Sequence, residues 1–126
     1  MAQNRETREV QNPALVAVGA RPDVLVWRQQ SGLFRSYDNP DRVVRVGTPG
    51  MADSMMVVAV TITPEMVGKT VGVAVAPEFK TTKGSLSEKQ GLWRTAFEKR
   101  GGIFAVVRSA AEMVGLVERV KRGDWS

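Results

Sequence analysis

Glu78 and Lys80 close an apolar stretch that reads Val71-Gly-Val-Ala-Val-Ala-Pro-Glu-Phe-Lys80. Successive side chains on a strand point to opposite faces, so Glu78 and Lys80 share one face and Phe79 takes the other. Burying charge is costly unless it is paired or holds a metal. The chemistry that suits the pair is a divalent cation on Glu78, with Lys80 facing a phosphate or the water that attacks it. A salt-bridged strand end is the alternative reading. Asp53 poses the same problem upstream, because it follows the bend Gly47-Thr-Pro-Gly50 and opens another apolar run.

The chain has no cysteine and no histidine. Disulfides, thiolate metal sites, histidine-ligated zinc and histidine-based nucleophilic triads are therefore excluded. Any metal must be hard and held by oxygen, which points to Mg²⁺ or Mn²⁺. General base chemistry falls to a carboxylate, a lysine or water on the metal. The net charge of +5 favours a polyanionic partner, with nucleic acid first.

The elements that must position these residues follow from pattern and punctuation. At 126 residues the chain is expected to be one domain, 1–126. Residues 1–20 follow helical spacing and carry Glu6 and Glu9, with Pro13 expected to kink the helix or split it after Gln11. Strands are expected over 24–30, 33–37, 42–46, 55–61 and 69–80. Ser87 and Gln90 form a capping box for a helix whose stripe is Leu92, Trp93, Ala96 and Phe97, and Gly101-Gly102 stops it. A strand over 103–107 follows. A second box, Ser109 with Glu112, opens the last helix. The two long apolar strands, about eight residues apart, are expected to pair antiparallel and to bring Asp53 and Glu78 to one sheet end. Strand, helix and strand between 70 and 107 predict a right-handed crossover and a parallel pair. The expected class is α/β, a mixed β-sheet flanked by helices. No apolar run approaches the ~20 residues of a membrane span, and the N-terminus has no apolar leader region, so a cytoplasmic protein without membrane contact is expected.

Read together, these pieces resemble the virus-type replication-repair nuclease (VRR-NUC) domain of the PD-(D/E)XK nuclease superfamily. The matching residues are Gly47-Thr-Pro-Gly-Met-Ala-Asp53, Pro77-Glu-Phe-Lys80, Gly84-Ser-Leu-Ser-Glu-Lys-Gln90, and Gly101-Gly102 before the 103–107 strand. Trp27-Arg-Gln-Gln-Ser-Gly32 looks like the family's arginine-plus-amide segment. Arg8-Glu-Val-Gln11 looks like its opening helix with an acid and a glutamine. The resemblance covers nearly the whole chain. It departs at Gln29 and Gln30, where the family often has Asn, at Ser54, and at the Asn12-Pro13 step.

The resemblance implies a restriction-endonuclease-like core. Asp53 and Glu78 would be metal ligands, assisted by the Phe79 carbonyl. Lys80 would orient or activate the attacking water and stabilise phosphate charge. Gln90 would sit beside the site, although its capping role explains it equally well. Glu9 would complete the acidic cluster, with Glu6 as the fallback. The activity implied is Mg²⁺- or Mn²⁺-dependent hydrolysis of branched DNA in replication and repair of phage type, Holliday junctions leading, by a homodimer. Arg28, Arg45, Lys83, Lys89 and Arg94 would grip the backbone, where phosphate contacts carry no base information. Two other classes compete: a non-catalytic DNA-binding module, and an interaction subunit of a replication complex.

Overall fold

A computed structural model describes residues 5–29 and 32–126. Gln30 and Ser31, which belong to the expected arginine-plus-amide segment and turn, lie outside the described residues. The chain forms two compact units, Met1–Met56 and Val57–Ser126. It is a mixed α/β protein, and among the described residues no helix is long and apolar enough to cross a membrane.

The first unit opens with a helix that changes its winding. Thr7–Gln11 is π-helical, and an α-helix, α1, follows over Asn12–Gly19. The cause is Pro13. Its ring would collide with the carbonyl four residues back in an α-helix. The chain widens instead, and the Asn12 N–H reaches the Thr7 carbonyl five residues back. The expected kink is thus a π-helical turn, the usual way one extra residue enters a helix.

Strands β1 (Val24–Arg28) and β4 (Ser54–Val58) pair with each other, and Val24 is buried. Strands β2 (Gly32–Arg35) and β3 (Val43–Val46) form an antiparallel hairpin in which Leu33 faces Arg45 and Arg35 faces Val43.

The second unit is a strand–helix–strand–helix run. A 3₁₀ turn, Pro64–Met66, leads through residues 67–74 to β5 (Val75–Phe79). Helix α2 spans Glu88–Lys99, β6 spans Ile103–Val107, and α3 spans Ala110–Lys121. The expected parallel pair is present: β5 and β6 run parallel, with Glu78 opposite Val106. Alternation along β6 gives each helix one face. Ile103 and Val107 pack with Leu116 of α3, with Val75, Ala105, Met113 and Val120 around them. Phe104 points the other way, and Trp93 of α2 lies 6.2 Å from it while stacking on Phe97 at 4.7 Å.

The α2 terminus is a Schellman motif. The Gly101 N–H donates to the Glu98 carbonyl and the Gly102 N–H to the Phe97 carbonyl, with Gly101 at φ +87°. Gly102 is required for a second reason: a Cβ there would stand 2.5 Å from the Phe97 ring.

Two expectations need correction. The described strands form three two-stranded ladders, not one mixed sheet, and β4 takes β1 as its partner rather than β5. The stretch before Val75 is not strand, because Gly68 turns the chain at φ +88° and Gly72 supplies no side chain to pack.

Candidate functional site

Strand alternation brings the sequence-predicted residues of the second unit together. Glu78 lies opposite Val106, on the face that carries Phe104 and that α2 covers. Lys80 follows two residues later, and its Nζ stands 3.6 Å from Glu78 Oε1. The two side chains are 21% (Lys80) and 30% (Glu78) exposed, sheltered but open to a ligand.

The N-terminus of α2 supplies the third member. Ser87 caps the helix by accepting from the Gln90 N–H at 3.1 Å, while the Ser87 N–H donates to Gln90 Oε1 at 2.9 Å. This full capping box fixes the Gln90 amide by its oxygen. The nitrogen then faces β5, where Nε2 donates to Glu78 Oε1 at 2.7 Å. One side chain thus completes the capping box and reaches Glu78, in keeping with two readings that the sequence leaves compatible. The loop between β5 and α2 also holds Lys80. Gly84 turns back onto it, with the Gly84 N–H on the Thr81 carbonyl, and a Cβ at Gly84 would stand 3.3 Å from Lys80 Cβ and Cδ.

Phe79 points to the opposite face and is exposed, lining a cleft of about 540 Å³ with Val107, Met113 and Val114. Its backbone lies level with Val107 in the ladder, and the Lys80 N–H donates to the Val107 carbonyl.

In the first unit a cleft of about 460 Å³ is lined by Glu6, Val10, Gln11, Ala14, Leu15, Asp53 and Ser54. Asp53 is set at its edge by β1, because the Gln29 N–H donates to the Asp53 carbonyl at 2.8 Å. The acid from the opening helix that joins Asp53 is Glu6. Glu9 is held elsewhere, 2.8 Å from Arg5 and 3.8 Å from Arg8. The π-helical turn sets this register. A 3.6-residue period run through Pro13 cannot foresee it. Gln11 also lines the cleft, and its place in the Arg8–Gln11 segment was the signal that marked it.

The expected DNA-gripping residues divide. Arg45, Lys83 and Lys89 are exposed. Arg28 donates to the Asn12 side chain. Arg94 is engaged on both sides, with Nε 2.9 Å from Glu98 Oε1 and its guanidinium 5.2 Å from the Phe104 ring centre.

Among the described residues no group of three or more acidic side chains gathers at one point. No family model matches the chain, and neither a curated protein nor a solved structure does.

Proposed function

We propose that this protein is a metal-dependent deoxyribonuclease of the PD-(D/E)XK type that cleaves branched DNA as a homodimer, with four-way junctions as the leading substrate. The observation that carries the reading is the convergence of Lys80 and Gln90 on one carboxylate oxygen of Glu78. An acid oriented by an amide and flanked by a cation is an arrangement that can hold a hard ion and stabilise charge on a phosphate.

The donor chemistry fits a hard ion. Oxygen is the sole strong donor type in a chain without cysteine or histidine. Mg²⁺ is commonly held by one or two carboxylates, with water and phosphate completing its shell. Within the second unit the ligand roles fall to Glu78 and the Phe79 carbonyl, as the family resemblance implies. Mg²⁺ or Mn²⁺, when bound, supplies Lewis acidity to the scissile phosphate.

The chain's own residues supply the rest. Gln90 holds the Glu78 carboxylate in one orientation, as hydrogen-bonded neighbours of metal ligands do. Lys80 lies beside it and stabilises negative charge as it grows on the phosphate oxygens. Arg45, Lys83 and Lys89 are free to meet backbone phosphates, which gives selectivity for DNA shape rather than sequence. Arg94, committed to Glu98 and Phe104, serves the packing of α2 more than it serves DNA.

The test is a cleavage assay on labelled junction, flap, fork and linear duplex DNA, with Mg²⁺ and then with EDTA. Nicking of branched substrates that EDTA abolishes is expected. Binding without nicking under every metal tested would instead make the protein a DNA-binding module.

A further inference from the structure

We infer that the free edge of β6, together with the adjacent flank of α3, is a binding cleft for an extended acidic peptide segment of a partner protein. The cleft holds about 310 Å³ and is lined by Ala105, Val106, Val107 and Arg108 with Glu112, Gly115, Leu116 and Arg119. Three consecutive strand residues and Arg108 after them line one cleft only along the strand's edge, because the strand side chains alternate between faces.

The hydrogen bonds identify which groups point outward. The Ile103 N–H donates to the Ala74 carbonyl and the Val107 carbonyl accepts from Lys80, so the odd-numbered residues face β5. Phe104 and Val106 therefore turn their N–H and C=O groups away from β5. Among the described residues no strand pairs with that edge. The next outward donor, the Arg108 N–H, is satisfied at 2.6 Å by Glu112 Oε2. Glu112 was expected to complete a capping box on Ser109. Its carboxylate instead closes one end of the β6 edge and marks where an added strand must stop.

An edge offering both donors and acceptors is matched by another peptide backbone. Phosphates, which only accept, satisfy half of it. The cleft's charge selects the kind of peptide. Arg119 lies about 10 Å along α3 from Glu112, at the other end of the cleft lining, and its charge acts on Asp124. Its Nε is buried and has no hydrogen-bond partner among the described residues. A buried donor of this kind is costly unless an acceptor reaches it. A carboxylate on the incoming strand meets that need. A second copy of β6 does not, since Ile103–Val107 carries no acid. Gly115 keeps the floor open, with nothing within 4 Å of where its Cβ would stand.

The test is fluorescence anisotropy on the whole protein with a fluorescein-labelled peptide of alternating Glu and Val. Controls are the Lys–Val analogue and a Glu–Val peptide N-methylated at alternate residues. The acidic peptide is expected to bind, and both controls to bind about tenfold more weakly or not at all. Gly115→Leu fills the floor while favouring the helix. It should keep the thermal transition and lose peptide binding. Arg119→Gln should weaken the acidic peptide about tenfold, the loss of one charge-assisted contact. Equal binding of all three peptides, or of none, overturns the proposal. So does sedimentation showing a dimer that Gly115→Leu dissociates in the absence of peptide binding, which would give the edge to a second copy. None of these readouts depends on DNA cleavage, so failure here and failure of the nuclease reading are distinguishable.

Discussion

Gln90 donates its amide nitrogen to Glu78 while its amide oxygen accepts from the Ser87 backbone. One side chain therefore couples the start of a helix to the acid at the end of a strand. Removing it should be felt in both stability and activity. Gln90→Ala is expected to lower unfolding free energy by about 1–2 kcal/mol, the cost of a lost cap interaction and a lost hydrogen bond. Gln90→Glu preserves the capping box but sets a second carboxylate against Glu78. Urea unfolding and cleavage rates together separate the roles: Gln90→Glu should keep more of the stability and less of the activity.

Glu78→Ala and Lys80→Ala should each reduce Mg²⁺-dependent DNA cleavage by about a hundredfold or more, the scale of losing a charge-stabilising group. Binding to junction DNA in Ca²⁺ should change little. Wild-type cleavage by both variants would remove the proposed site.

The opening helix gives a sharper comparison. Glu6 shares the Asp53 cleft, whereas Glu9 is paired with Arg5 and Arg8. Under the nuclease reading Glu6→Gln is expected to cost about tenfold in cleavage rate and Glu9→Gln less than about twofold, since exposed ion pairs contribute little. The reverse order in the same assay would return the role to Glu9.

Two glycines should separate fold from function. Gly102→Ala drives a methyl into the Phe97 ring and is expected to destabilise by about 1–3 kcal/mol, read from denaturant unfolding. Gly84→Ala meets only the stem of Lys80 at 3.3 Å. It should leave the unfolding midpoint nearly unchanged while displacing Lys80 and lowering cleavage.

Local chemistry was legible in the sequence wherever one residue type forces one geometry. The Ser87–Gln90 box, the Gly101-Gly102 stop and the parallel β5–β6 pair all appear as expected, because capping, left-handed glycine and crossover rules act over short distances. The shared face of Glu78 and Lys80 follows from alternation alone. Pairing between distant strands was not legible, since the apolar run over 55–61 carries no signal of which strand it pairs with. Which of Glu6 and Glu9 lies beside Asp53 was hidden for another reason. It depends on how the backbone relieves the Pro13 clash, and hydrophobic spacing carries no information about that. β5 is shorter than its pattern predicts because apolar composition continues through Gly72 where pairing does not.

The widened turn at Thr7–Gln11 ties the azimuth of the opening helix to its winding. Each residue in an α-helix rotates its successors by about 100°, and a π-helical turn rotates them less, so α-winding through the same residues would turn the segment before them to a different azimuth relative to α1. The side chain presented to Asp53 is thus set by how the backbone accommodates Pro13, and the same acids on a continuous α-helix would aim differently at the same cleft.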